Sequence, residues 1–217
     1  MSGTQLLLVR HGDTAGNDDS EPRLTGWTDL ALSSRGRNQL RRLRARLLVG
    51  PTFAAIYSSS SRRAYETAEV IRPTGSGAVR PCAELREIHC GLLEGWTVSD
   101  VQKSFPSLWA THLRRADDDF RWPGGESYRE FRARCLAAVH AIAECHRGDC
   151  VAVVTHAGVI SQVVGCIHGA RPAQWDLFRP GNASLTELSW REGVLTLLRF
   201  DDREHLAEPS TETPSAA

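Results

Sequence analysis

The run Cys150-Val151-Ala152-Val153-Val154 constrains the fold more than any other stretch of this chain. A strand with one wet face alternates polar and apolar residues, whereas an unbroken apolar run suits a strand covered on both faces, as parallel strands between helix layers are. Thr155-His156-Ala157-Gly158 ends the run and turns it into a predicted helix from Val159 to Ile167. The same order occurs twice more. Gln5 to Val9 reads as a buried strand ending in the polar turn Arg10-His11-Gly12-Asp13-Thr14, ahead of a helix from Gly36 to Leu48. That helix takes Ser33 or Ser34 as its cap and carries Leu40, Leu43, Leu47 and Leu48 on one face. Phe53 to Tyr57 is the third such strand, with Ser58 to Ser61 as turn and cap for a helix from Arg63 to Ile71 that stops before Pro73.

The remaining segments are less regular. Val79 to Leu85 reads as a weaker strand, followed by a loop with Gly91 and Gly95 and a short helix from Val98 to Phe105. Ala116 to Glu126 reads as a surface loop placed to frame a pocket, before the long helix Ser127 to His146, which Glu126 and Ser127 are expected to cap. Ser184 to Trp190 and Val194 to Phe200 flank Arg191-Glu192-Gly193 as a hairpin. This alternation predicts an α/β three-layer sandwich, a mostly parallel central sheet with helices on both faces. A length of 217 residues fits one domain, placed at 1 to 206, with a polar tail from 207 to 217 expected to be disordered.

Charge narrows the range of partners. Lys plus Arg and Asp plus Glu both number 26, which removes the whole-molecule attraction to nucleic acid or anionic membrane that basic proteins use. The arginines Arg35, Arg37, Arg41, Arg42, Arg44 and Arg46 sit among leucines at helical spacing and read as a solvated face. Leu6 to Val9 is cut short by Arg10 and His11, too early for a leader or a membrane span, so a cytoplasmic location is expected. Cys82, Cys90, Cys135, Cys145, Cys150 and Cys166 form no C-x-x-C pair and read as buried or inert thiols. His89, His112, His140, His146 and His168 lack metal-ligand spacing, so no metal or other cofactor is expected. Asn182-Ala183-Ser184 matches a glycosylation sequon but carries no weight without an export signal. Exposed strand edges between Ser184 and Phe200 leave room for a homodimer.

Ligands of open α/β sheets bind beyond the carboxyl ends of the strands. Arg10-His11, the turn from Ser58 to Arg63, and Thr155-His156 all occupy that end of separate strands and can converge on one crevice. Together they offer what phosphoryl transfer demands, fixed positive charge for the equatorial oxygens and an in-line nucleophile. Arg10 and Arg63 supply planar forks that match phosphate oxygens. His11 lies beside Gly12, where the missing side chain lets a ligand approach, and the two arginines should keep its imidazole neutral and nucleophilic.

In these motifs the chain resembles the histidine phosphatase superfamily, also called phosphoglycerate mutase-like, over residues 5 to 206. Leu8-Val9-Arg10-His11-Gly12-Asp13-Thr14 with Asn17 is similar to the family's first signature, and Thr25-Gly26-Trp27-Thr28-Asp29-Leu30 to the loop that follows. Ser58-Ser59 through Arg63-Ala64 resembles the second arginine motif, and Leu85-Arg86-Glu87-Ile88 with Glu94-Gly95 the segment that carries an acid. Pro123-Gly124-Gly125-Glu126-Ser127 and Val154-Thr155-His156-Ala157-Gly158 complete the order. The resemblance implies a phosphoglycerate mutase-like fold and a metal-independent phosphomonoesterase acting on a small-molecule phosphate ester. It makes His11 the phosphorylated residue, with Arg10, Arg63 and His156 around the transferred group and Glu87 as proton donor. His156 would act as a cation or a hydrogen-bonding group. It also implies substrate contacts at Asn17, Thr25, Gly26 and Ala157. Asp13, Ala31, Ser61 and Ala157 depart from the commonest pattern without removing a reactive group.

Bland readings compete at several positions. Glu87 could instead pair with Arg86 or Arg62 on the surface, and Glu94 reads as a residue that orders its loop. Trp27, Trp96, Trp109 and Trp122 fall in or beside loops, where one or two can line a pocket. The competing functions are phosphoglycerate mutase-type transfer and a non-catalytic phospho-ligand binder. The short stretch from Val98 to Trp122, with its acidic Asp117 to Asp119, lacks the longer basic insertion of the family's mutases. Both arginines, both histidines and Glu87 are intact, against a dead site.

Overall fold

The computed structural model describes residues 3–17 and 20–207; the side chain of Asn17 and the tail from 208 to 217 fall outside the described residues. Strands β1 (Thr4–Arg10), β2 (Ala55–Ser59), β3 (Arg80–Cys82), β4 (Cys150–Thr155), β5 (Leu185–Arg191) and β6 (Val194–Asp202) form one sheet, in the order β3-β2-β4-β1-β5-β6. The first four run parallel, and β5 and β6 complete the edge as an antiparallel hairpin. Among the described residues six α-helices join them: α1 (Ser34–Leu47), α2 (Arg62–Ile71), α3 (Val98–Ser104), α4 (Pro106–Arg114), α5 (Tyr128–Cys145) and α6 (Ala157–Ile167).

Alternation along the strands explains the two layers. Leu6, Leu8, Val151 and Val153 face one way and pack with Phe131 and Val139 of α5 and Ile160 and Val164 of α6. Leu7, Val9, Ala152 and Val154 face the other way, against Leu40 and Leu43 of α1 and Ala64 and Ala68 of α2. Each buried Leu, Val or Ile contributes about 1.5–3 kcal/mol, so replacing one of these on either face of β1 or β4 by a polar residue forfeits that gain. A third cluster, Cys90, Leu93, Val101, Phe120, Trp122 and Tyr128, lies off the sheet and is built from α3, the start of α5 and their loops.

Several local expectations change. Only Arg80–Cys82 pairs as a strand, and Ala83–Leu85 tightens into a 3-10 turn that buries Leu85 and presents its carbonyl to the Thr155 hydroxyl at 2.8 Å. Ser58 and Ser59 belong to β2 rather than to a turn, and Ser61 precedes α2 without a side-chain cap bond. Helix α4 was not anticipated; Pro106 looks like a terminator, yet at the first helical position its fixed φ and missing donor start a helix. Ser33 caps α1 and Ser127 caps α5 with Glu130, whereas Glu126 pairs with Arg134 instead. The arginine face of α1 is not simply solvated. Arg44 donates to the Val70 and Arg72 carbonyls at 2.6 and 2.8 Å, and Arg46 pairs with Asp202 at 2.7 Å, fastening α1 to α2 and β6. Among the described residues no helix is long and apolar enough to cross a membrane.

Candidate active site

The register of β1 on β4 pairs Arg10 with Thr155, so the next residues, His11 and His156, emerge side by side at the strands' carboxyl ends. Their rings lie 5.1 Å apart, and His11 lines a cleft of about 480 Å³. His11 Nδ1 stands 2.7 Å from the Gly12 carbonyl oxygen. A carbonyl only accepts, so Nδ1 carries the proton and Nε2 keeps its lone pair. Arg63 Nε donates to that Nε2 at 3.3 Å. Burial, then Arg63 and Arg10, hold the His11 pKa well below the ordinary histidine value, so the ring is neutral at pH 7. The arginine effect was anticipated from the sequence, but burial is the larger cause. His156 is fully buried and shares a 2.8 Å hydrogen bond between Nε2 and Ser59 Oγ. Its pKa is lowered by burial first and Arg63 next, so of the two expected states it is the hydrogen-bonding imidazole, not the cation.

Arg63 is 3% exposed and held by three backbone carbonyls: Thr28 at 2.8 Å, Gly26 at 2.8 Å and Thr25 at 3.1 Å. Thr25 and Gly26 line the cleft, and their carbonyls orient the arginine. Arg10 donates to Pro180 O at 2.7 Å while its Nε is buried without a partner among the described residues. Burial lowers its pKa to about 10, which still leaves it charged at pH 7. Glu87 pairs with neither Arg86, which bonds Ser60 Oγ, nor Arg62, which pairs with Glu66. Its carboxylate instead accepts from Gly158 N and Ile88 N, both at 2.9 Å, within the cleft that Ala157 also lines. Glu94 orders its loop as read, accepting from the backbone of Trp27, Thr28 and Cys90.

Other participants escaped sequence reasoning. Ser59 looked like part of a polar turn but is a fully buried strand residue under His156. Thr67 Oγ1 accepts from Gly12 N at 3.1 Å. At Gly12 a Cβ would come within 3.1–3.2 Å of Leu32, Leu40 and the Gly36 carbonyl, so a side chain there would require these neighbours to give way. Asn182, noted only for a sequon, donates to the His11 carbonyl at 3.2 Å. Trp109 and Trp122 line the cleft, as does Trp175; Trp27 stands outside it and donates to the Glu87 carbonyl at 2.9 Å. Arg35, assigned to the solvated face, lines the cleft too. Among the described residues no three His, Cys, Asp or Glu side chains gather as a metal would require.

Known proteins share this arrangement of the chain. The family model described as histidine phosphatase superfamily (branch 1) matches residues 6–203. Phosphoglycerate mutase-like protein 4 of Arabidopsis thaliana is 32% identical over 207 residues, covering 94% of this chain and 87% of the relative. A metal-independent phosphoserine phosphatase of the same plant is 30% identical over 205 residues, with 94% and 84% covered. Among solved structures, Bacillus stearothermophilus YhfR matches with a TM-score of 0.86 at 31% identity, covering 94% of this chain and 100% of that one. With the model matched almost end to end and relatives aligned along nearly all of it, the chain belongs to the histidine phosphatase superfamily, branch 1.

Proposed function

We propose that the protein is a metal-independent phosphomonoesterase that hydrolyses a small phosphorylated metabolite through a phosphohistidine on His11. The observation that carries the reading is the tautomer: Nδ1–H is tied to Gly12 O, which leaves Nε2 as the lone pair beside Arg63 and Arg10. In the first step Nε2 attacks phosphorus; the P–N bond forms, the ester P–O bond breaks, and Glu87 delivers its proton to the departing alkoxide. Water then attacks phosphohistidine, the P–N bond breaks, and Glu87 takes the water proton back. Arg10 and Arg63 meet the equatorial oxygens, with His156 and Asn17 as further phosphate contacts. Arg10 Nε, a cleft-lining donor buried without a partner among the described residues, supports a site completed by an anion, because it costs about 1–3 kcal/mol while unsatisfied. The donor set around His11 is arginine, imidazole and hydroxyl rather than a carboxylate cluster, which supports reaction without a metal, and the plant phosphoserine phosphatase described as metal-independent is consistent with it.

The test is phosphate release from a panel of phosphomonoesters in EDTA, with acid-labile phosphate trapped on the protein by rapid quench. Wild type should turn over and carry label on His11, and His11→Ala should lose at least about 10⁴-fold in kcat, since the whole covalent route is removed. Equal turnover by His11→Ala sinks the assignment. Label that passes to a second hydroxyl rather than to water would favour mutase-type transfer, the activity suggested by the name of the first Arabidopsis relative.

A further inference from the structure

We propose that the cleft contains a second anion subsite, built on Arg179, that selects phosphate monoesters whose alcohol portion carries a further negative charge; the inference rests on the phosphatase reading above. The ring of Trp175 carries two guanidinium groups, Arg115 at 4.9 Å and Arg179 at 5.1 Å from its centroid. Their counter-charges differ. Arg115 is neutralised by Asp176 at 3.1 Å, whereas Arg179 has no acidic partner among the described residues. Asp201, which accepts from the Gly181 amide in the same loop, is already paired with Arg203 at 3.0 Å.

This loop is not a loose surface segment. Pro180 O holds Arg10 at 2.7 Å, Asn182 donates to the His11 carbonyl at 3.2 Å, and Ala183 N is shared between the Arg10 and His11 carbonyls at 3.1 Å. Arg179 is therefore one residue from the anchor of Arg10, and its positive charge repels that of Arg10. A guanidinium laid on an indole has already lost much of its rotamer freedom, so an incoming anion pays little further ordering cost. Among the described residues six arginines line the cleft against two carboxylates, Asp13 and Glu87. Arg10 and Arg63 suffice for one phosphoryl dianion, which leaves Arg179 matched to a second group, a carboxylate or another phosphate.

The experiment measures binding first, so that turnover is not needed to read it. His11→Ala protein is titrated calorimetrically with 3-phosphoglycerate and with glycerol 3-phosphate, which differ by a carboxylate in place of a hydroxymethyl group. The carboxylate ester should bind more tightly, and adding Arg179→Gln should cut that preference about tenfold or more, the scale of one charge-assisted contact. Phosphoserine against phosphoethanolamine should give the same collapse. No preference in His11→Ala, a preference that survives Arg179→Gln, or no binding of either ligand overturns the subsite. Wild-type turnover of 4-nitrophenyl phosphate, which has no second anion, is followed in parallel: its absence counts against hydrolysis and leaves the outcome of the binding titrations unaffected.

Discussion

At the residue scale, Gly158 shows how one missing side chain places a reactive group. Its amide donates to Glu87 Oε2 at 2.9 Å, and a Cβ built on it would lie 2.1 Å from Glu87 Oε1. Alanine there can be accommodated only by swinging the carboxylate away, because the other side of the contact is helix backbone. If Glu87 protonates the leaving oxygen, Gly158→Ala should slow alkyl phosphates by about 100-fold while barely slowing 4-nitrophenyl phosphate, whose leaving group needs no proton. Steady-state rates for the two ester classes check this; a uniform loss in both would assign Gly158 to packing alone. The glycine is visible in the sequence as a turn after a strand. Its reason is not, because Glu87 lies 71 positions away along the chain.

At the scale of elements, the loop Thr25–Thr28 is hung on Glu94. The carboxylate accepts from Trp27 N at 2.8 Å, Cys90 N at 2.9 Å, Thr28 N at 3.1 Å and Thr28 Oγ1 at 2.8 Å, so it bridges this loop to the Glu87 segment. The carbonyls so positioned are those that hold Arg63, which in turn contacts His11. Glu94 is thus a positioning residue. Glu94→Ala should lower kcat/KM by about 10- to 100-fold through misplacement of the arginine, with Glu94→Gln recovering part of the loss. The separate measurement is coupling: in an Arg63→Ala background the same change should add little, whereas a purely structural role predicts losses that multiply.

At the scale of the whole molecule, three buried imidazoles make stability depend on pH. His11 and His156 are held well below the ordinary histidine value and His112, buried beside Arg115, at about 3. An unfolded imidazole takes its proton near 6.5, so below that pH the unfolded chain binds more protons than the folded one and stability falls as the medium is acidified. The slope approaches about 1.4 kcal/mol per pH unit for each histidine protonated only in the unfolded chain. Urea midpoints should therefore drop between pH 7.5 and 5.5, before the carboxylates titrate; a constant midpoint over that window would show these rings to be accessible to protons. The same depression keeps the His11 imidazole neutral at mildly acidic pH.

Local order along the chain determined the layers, the parallel strands and the chemical identity of the reactive groups. Apolar alternation and turn chemistry are properties of consecutive residues, and the run Cys150 to Val154 or the turn Arg10-His11-Gly12 needs no distant partner to be interpreted. Tertiary structure alone decided what those groups do to one another. The β1 to β4 register sets His11 against His156, and β2 slides Ser59 beneath the second ring. The return of residues 180–183 across 171 positions to His11 converts a nominal sequon into a strut. Which nitrogen of His11 meets Arg63, which loop holds Arg63, and why Arg179 has no acidic partner among the described residues all depend on such long-range closures. Their energies are set by distance and burial, quantities that a linear string does not contain.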